Sequence, residues 1–354
     1  MGVYIIAEIG INFNNSLENC FKLIDAAASA GCQAAKFQLF SAKHLYPKSA
    51  GKLDWRDGDK EYSYDIYDAV STFELPEEWI PQLMEYCDRC DINFMSSVFD
   101  TQGLDTLVGM GLKSIKLSSY TITNLPLIEA AAETGLPIIM STGGATLAET
   151  EAAVETVLRH HNELALLHCS IQYPTLLKDC NMGVVETLAK AFPEIRVGYS
   201  DHTLEISDAP VQSVYLGGSV VEKHITLDKK MEGPDHFVAL EPEELKQMVA
   251  DIRQAEQLKL NGGFVVEQIV YGNSAKICHD HERYLRDFCY MTLFTKRSIK
   301  TGERIRPQDI SILRPGKKVR GLDPDLLPLF KKYVITAKSD LTAEAPLTWG
   351  AVFG

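Results

Sequence analysis

Short apolar runs rich in β-branched residues alternate along the chain with stretches whose apolar positions recur every three or four residues. The runs are Val3–Ala7, Ala34–Gln38, Asn93–Ser96, Ser114–Leu117, Pro137–Ser141, Ala165–His168, Arg196–Tyr199 and Ser219–Lys223. Their apolar residues fall on both faces, which predicts strands covered on two sides. The helical period predicts helices over Leu17–Ala30, Glu77–Arg89, Leu125–Thr134, Leu147–Arg159, Met182–Ala191, Ser207–Leu216 and Pro242–Leu260. Buried strands separated by amphipathic helices predict a parallel sheet with right-handed crossovers. Eight such units over roughly 250 residues predict an α/β fold, a (β/α)8 TIM barrel, with an open doubly wound sheet as the alternative.

The pattern breaks twice. The connection from Ser41 to Leu75, between the second strand and its helix, is long and carries Tyr46, Trp55, Tyr62, Tyr64 and Tyr67 among many charges. It leaves the C-terminal end of a strand, so in a barrel it overhangs the active face and predicts a lid or binding loop. The second break follows Leu260, where Asn261-Gly262-Gly263 ends the last helix. A mixed connector follows, and from Met291 onward the signals are short strands and turns: RSIKTGERI, ISILRPG, YVITAKSD and PLTWG. The expected division is a barrel over 1–262, a linker over 263–290 and a small, mostly-β domain over 291–354.

Composition narrows the classes. With 354 residues, 45% hydrophobic and 23% charged, the chain is globular rather than disordered or fibrous. No apolar run reaches the ~18 residues of a membrane span. The N-terminus MGVYIIAEIG has no basic region before its apolar stretch, and Glu8 interrupts that stretch. It is therefore not a secretory signal, and the expected location is the cytoplasm. A net charge of −13 argues against a general nucleic-acid binder. It leaves room for a small anion held by a local cluster of cations. The eight cysteines are expected to be reduced thiols. Cys87-Asp88-Arg89-Cys90 has no second CxxC, and Cys278-His279-Asp280-His281 could in principle complete a zinc site with it. Ordinary helix-face thiols are the preferred reading.

A barrel builds its active site at the C-terminal ends of its strands. Polar and ionisable residues stand at that end of all eight: Glu8; Lys36 and Gln38; Ser96 and Ser97; Lys116, Ser118 and Ser119; Ser141-Thr142-Gly143-Gly144; His168 and Tyr173; Ser200, Asp201 and His202; Glu222, Lys223 and His224. Core packing alone would put Val or Leu at most of these places. Lys36 and Lys116 supply charge, and Ser97, Ser119 and Ser141 supply short donors, a set suited to phosphate or carboxylate. Thr142-Gly143-Gly144 is expected to let the backbone approach an oxyanion. His202 and His224 end adjacent strands, where two neutral imidazoles suit a divalent transition metal such as Mn²⁺. Asp201 and Glu222 beside them, and Asp235 in Gly233-Pro234-Asp235-His236, are candidate acceptors. A hydrogen-bonded histidine pair without metal is the competing reading.

These motifs as a set resemble the sialic acid synthases. EIGIN (Glu8–Asn12), AKFQ (Ala35–Gln38), KLSS (Lys116–Ser119), TNLPLIE (Thr123–Glu129), MSTGGA (Met140–Ala145), HCSIQYPT (His168–Thr175), VGYSDHT (Val197–Thr203), VEKHITLD (Val221–Asp228) and GPDH (Gly233–His236) occur in the family's order. The tail RSIKTGERI…RPG resembles the family's antifreeze-like C-terminal domain. The resemblance implies condensation of phosphoenolpyruvate, through its C3, with the open-chain aldehyde of an N-acylated hexosamine. Water attacks C2 and phosphate leaves, giving a nonulosonic acid. It implies that Lys36, Ser97, Lys116, Ser119, Ser141 and Ser200 hold phosphoenolpyruvate. It implies His202 and His224 as ligands of a divalent metal, Mn²⁺ with Mg²⁺ or Co²⁺ as alternatives. Glu8, Gln38, Tyr173, Glu222 and Asp235 would contact the sugar, and Glu8, Lys116, Asp201, His202 and Glu222 would take part in the chemistry. Arg314, in Arg314-Pro315-Gly316, would reach the partner subunit's site in a domain-swapped homodimer, so that one chain could not complete its own pocket.

The sequence departs from the family's pattern at four places. Phe13 stands where a His is usual, Thr121 where a carboxylate is usual, and Ile171 where an Asn is common in the bacterial sialic acid branch. The tail reads RPGKKVRGLDP, so Arg314 and Arg320 compete for one role. These changes are expected to alter the sugar side and the proton route. Synthases for pseudaminic, legionaminic or spore-coat sugar acids share the motifs and stay open as alternatives, as does a catalytically impaired carbohydrate-binding relative.

Overall fold

The structure, a computed structural model, describes residues 2–57 and 60–354, without the side chains of 54–57 and 60–62. Eight parallel strands close a barrel: β1 (Tyr4–Gly10), β2 (Ala34–Leu39), β3 (Asn93–Val98), β4 (Ile115–Leu117), β5 (Ile138–Ser141), β6 (Leu164–Cys169), β7 (Arg196–Asp201) and β8 (Val220–His224). All eight predicted strands are present, and the open-sheet alternative falls because β1 pairs with both β2 and β8. The helices are α1 (Leu17–Ala30), α2 (Ile80–Arg89), α3 (Thr101–Gly109), α4 (Leu125–Glu133), α5 (Leu147–Leu158), α6 (Gly183–Ala191), α7 (Asp208–Tyr215) and α8 (Pro242–Leu260).

Local chemistry sets the helix ends. Ser16 caps α1 by accepting from the Asn19 amide at 3.2 Å, and Gly31 closes it in a left-handed turn at φ 86°. Thr146 and Glu149 form a reciprocal capping box at the start of α5. Helix α3 is weakly signalled because Gly103 and Gly109 dilute its periodicity, yet Asp100 caps it through the Gly103 amide at 2.8 Å.

The main core lies between barrel and helices, from Ile5, Ala7 and Ile9 on β1 round to Val221 on β8. A smaller cluster fills the barrel's inside: Ile6, Ala34, Met95, Ile139, Ala165, Leu167 and Val220. The long connection after β2 folds into a short helix (Ala42–Leu45), a hairpin (Lys52–Asp57 with Lys60–Asp65) and a second helix (Ile66–Ser71). Tyr46 is buried there against Phe288, whereas the Trp55 and Tyr62 side chains lie outside the described residues.

Residues 292–352 build a second unit with its own core of Leu293, Ile299, Ile305, Ile310, Leu322, Phe330, Ile335 and Leu347. Its paired segments are antiparallel, Thr292–Thr295 with Ile310–Leu313 and Arg304–Ile305 with Ile335–Thr336, joined by short helices such as Leu327–Lys332. This unit sits over its own barrel. The Arg314 amide donates to Leu45 O at 2.8 Å, Lys317 N to Ala50 O at 2.8 Å, and Ser49 Oγ to Glu344 at 2.6 Å. In this one chain Arg314 lines the pocket of its own barrel, the place that the resemblance assigned to a partner's arginine.

Candidate active site

Successive residues of a strand face opposite sides, and this alternation decides which side chains meet. Two residues beyond the apolar cluster inside the barrel, the same faces carry Glu8, Lys36, Ser97, Ser141, Cys169 and Glu222. All six line one cavity of about 750 Å³ at the C-terminal ends of the strands. Gln38, Lys116, Ser119, Tyr173, Ser200, His202, His224, Asp235 and Arg314 line it too.

Asp201 does not. It alternates with Ser200 and His202, so it points outward, where it meets Lys223 Nζ at 2.5 Å in a fully buried pair. Its carboxylate also accepts from Thr203 N and Oγ1, each at 3.0 Å. The expectation that Asp201 stands beside the substrate is corrected: the pair braces the loop after β7 from behind the wall. His168 is likewise turned outward, to Cys180 O at 2.7 Å.

The floor of the cavity is a charge cluster. Lys36 Nζ lies 2.9 Å from Glu8 and 3.4 Å from Glu222, and it donates to Ser97 Oγ at 3.2 Å. Lys116 Nζ donates to Ser141 Oγ at 2.7 Å and lies 3.8 Å from Glu222. Ser200 donates to Glu222 at 2.9 Å and Gln38 to Glu8 at 2.7 Å. Burial lowers the Lys116 ammonium to about 8. Burial raises the Glu8 carboxyl to about 7 against the pull of Lys36. Burial also opposes ionisation of Glu222, but Lys116 and Lys36 outweigh it and hold that carboxyl at about 2. Burial raises the Asp235 carboxyl to about 6, with the Lys36 charge opposing. The free site thus balances two lysines against carboxylates, one of them poised to carry a proton near neutrality.

The histidines fit a divalent ion. Their rings are 5.5 Å apart between centroids. His202 Nδ1 donates to Ser170 O at 2.9 Å, which leaves the Nε2 lone pair for a ligand. His224 Nδ1 is buried without a partner. Burial lowers His202 to about 4 and takes His224 well below its ordinary value, so both imidazoles are neutral at pH 7. Among the described residues no cluster of three or more His, Cys, Asp or Glu forms a complete cage. Remaining ligands would be substrate oxygens and water.

The glycine loop differs from expectation. The Gly143 amide donates to Ser119 Oγ at 2.9 Å and the Gly144 amide to Glu282 Oε1 at 2.8 Å, so neither is free for an oxyanion. A Cβ on Gly143 would stand 2.8 Å from Ile171 Cγ2, and Gly144, at φ +69°, would meet Ile171 Cδ1 at 2.6 Å. These glycines make room for Ile171.

Two of the four departures lie outside the cavity. Phe13 packs into the core with Phe37 and Trp79, and Thr121 turns its hydroxyl to Ser118 O at 2.9 Å. Arg314 is the arginine at the cavity. Its guanidinium lies over Tyr120, Phe99 and Tyr46 at 4.9, 5.1 and 5.7 Å, and its buried Nε has no partner. Arg320 pairs with Asp323 instead. Among the lining residues that sequence reasoning missed are Tyr120, Gln172 and the connector's Leu285 and Phe288, and His281, read there as a possible zinc ligand, lines the cavity too. The run His279-Asp280-His281-Glu282 was the available signal. The cysteines are all free thiols, with Cys87 buried and no zinc set around Cys278 among the described residues.

Comparison with known proteins agrees with this geometry. The NeuB family pattern matches residues 23–263. The spore coat polysaccharide biosynthesis protein SpsE of Bacillus subtilis is 39% identical over 349 residues, covering 98% of this chain and 92% of that protein. The N,N'-diacetyllegionaminic acid synthase of Legionella pneumophila is 37% identical, covering 89% of this chain and 86% of that protein. The crystal structure of the Bacillus subtilis SpsE superposes with a TM-score of 0.87, at 37% identity, over 99% of this chain and 95% of that one. A barrel with lysines, serines and paired imidazoles at one rim, matched over most of its length, makes this chain a member of the NeuB family.

Proposed function

We propose that the chain condenses phosphoenolpyruvate with an N-acylated hexosamine to give a nonulosonic, sialic-type acid and phosphate. The observation that carries this reading is the convergence of Lys36, Lys116 and four serines on a cavity that also holds His202 and His224. The two lysines, with Ser97, Ser119, Ser141 and Ser200, would receive the phosphate and carboxylate of phosphoenolpyruvate. A divalent ion on the two imidazoles, Mn²⁺ in our reading, would supply Lewis acidity toward an aldehyde oxygen. Glu8 would carry its proton to the oxygen that gains charge as the enol C3 bonds to the aldehyde carbon. Water would then add at C2, returning a proton to the Glu8 carboxylate, and the C2–O bond to phosphate would break as the hydroxyl proton leaves with phosphate, giving the 2-keto acid. Glu222, held ionised by the lysines, would orient the sugar with Gln38, Tyr173 and Asp235. Arg314, caged by aromatic rings and without a carboxylate partner, would bind an acceptor oxygen.

Ile66, Val70, Phe73, Phe99 and Phe288 give the outer cavity an apolar wall. Such a wall leaves sugar hydroxyls without partners and suits acyl methyl groups, which favours a legionaminic-type acceptor as the second reading. An impaired relative is not favoured, since Thr121 does not face the cavity. We further propose a cytoplasmic homodimer, with a catalytic barrel over 1–262, a linker over 263–290 and an antifreeze-like domain over 291–354. No described helix is long and apolar enough to cross a membrane.

The test is phosphate release from phosphoenolpyruvate with a panel of mono- and di-N-acyl hexosamines and Mn²⁺. Turnover with at least one is expected. No turnover with any refutes the proposal.

A further inference from the structure

Four side chains of the connector converge on one short loop of the barrel. Lys276 Nζ donates to Ala145 O at 2.5 Å. Glu282 Oε1 accepts from Gly144 N at 2.8 Å and Ile171 N at 3.2 Å, while its Oε2 accepts from His279 N at 3.0 Å. Arg286 donates to Gly144 O and to Glu149, and its guanidinium carbon lies 4.5 Å from the Tyr290 ring centre. The Tyr290 hydroxyl donates to Gly143 O at 2.5 Å. Both carbonyls of the glycine pair and the Gly144 amide are thereby bonded to the connector.

The other end of the loop is tied to the cavity. The Gly143 amide holds Ser119 Oγ at 2.9 Å, and the loop continues β5, whose Ser141 accepts from Lys116 at 2.7 Å. Ser119 Oγ accepts that amide and also hydrogen-bonds the Cys169 side chain, so the loop fixes its orientation. Glu282 is 3% exposed and does not line the main cavity. A buried carboxylate with three backbone donors is fully paired, and its loss would leave two loop amides without a partner.

We infer that Glu282, Arg286 and Tyr290 are positioning residues: the connector clamps the Gly143–Ala145 loop so that Ser119, Ser141 and Lys116 stay aimed at the anion side of the cavity. Glu282 occupies the Gly144 amide and Ser119 the Gly143 amide, so neither is free for an anion. The turn thus serves phosphoenolpyruvate indirectly, through the serines it holds. The inference rests on the proposed use of phosphoenolpyruvate for its kinetic consequence, and on geometry alone for the clamp.

The experiment uses the full chain as wild type, Glu282→Leu and Tyr290→Phe. Hydrogen–deuterium exchange reads the clamp without any substrate. The Gly144 and Ile171 amides are expected to exchange about tenfold faster or more in Glu282→Leu, which removes both acceptor oxygens, with amides of the C-terminal unit unchanged. In kinetics, KM for phosphoenolpyruvate is expected to rise about tenfold while KM for the acceptor changes less than about twofold. Tyr290→Phe keeps the ring and should show the same split more weakly, which covers the case in which Glu282→Leu folds poorly. Unchanged exchange in the loop overturns the clamp, and an equal rise in both KM values overturns the positioning role. If wild type does not use phosphoenolpyruvate, the functional proposal fails while the exchange result still decides the clamp.

Discussion

Asp201→Asn separates a brace from a catalytic group. Lys223 Nζ spends all three of its protons, on Asp201 at 2.5 Å, Thr203 O at 2.7 Å and Glu205 O at 3.1 Å. Both partners of the ion pair are fully buried. Asparagine keeps an acceptor for the Thr203 amide but turns an uncharged amide group toward a buried ammonium. Breaking one side of such a pair costs about 3–5 kcal/mol. At about 2.1 cal/mol/K of unfolding entropy per residue, that is a fall of roughly 4–7 °C in the melting temperature of this chain. The assay is thermal and urea unfolding alongside kcat and KM on the same preparations. Stability should drop while kcat at low temperature stays within about threefold, because Asp201 does not face the cavity. Replacing both partners, Asp201→Leu with Lys223→Met, should recover much of the loss, since no charge is then left unpaired. An unchanged melting temperature with kcat lowered about 100-fold or more would refute the placement and return Asp201 to the chemistry.

Three further outcomes follow from the same geometry. Lys116→Met should weaken phosphoenolpyruvate binding about 10–100-fold by calorimetry, and in wild type the affinity should fall as pH rises through about 8, where the Lys116 ammonium loses its proton. His168, lowered by burial to about 3, stays neutral in the fold while the unfolded chain takes up a proton below its ordinary 6.5. Stability should therefore fall as pH drops from 6.5 toward 3, and His168→Gln should flatten that slope in urea midpoints. A cysteine pair, Ser49→Cys with Glu344→Cys, in a Cys90→Ser, Cys278→Ser background, joins groups that hydrogen-bond at 2.6 Å across the barrel and the C-terminal unit. Oxidation should give a band of one chain, 39.4 kDa, on a non-reducing gel, because Met291 N is held by its own Tyr120 O next to the first strand of that unit. A band of two chains would show exchanged C-terminal units.

Much of this molecule is written locally. Strand and helix positions follow from periodicity, and the (β/α)8 topology follows from eight repeats of one unit. The site was legible because a barrel gathers the ends of all its strands at one rim, so residues such as Lys36 and His224, far apart in sequence, could be placed together before any contact was known. Tertiary structure decided what periodicity leaves open. Strand register and pleat turned Asp201 and His168 outward while their neighbours turned inward. Packing put Phe13 into the core beside Phe37 and left Arg314, not Arg320, over the cavity. The role of the glycine turn was the least legible feature. Its partners, Ile171, Glu282 and Tyr290, come from other segments, and only long-range packing could show that a protein carboxylate fills the turn. Local sequence encodes which conformations a segment prefers, but the pairing of polar groups across segments exists only once the chain has closed upon itself.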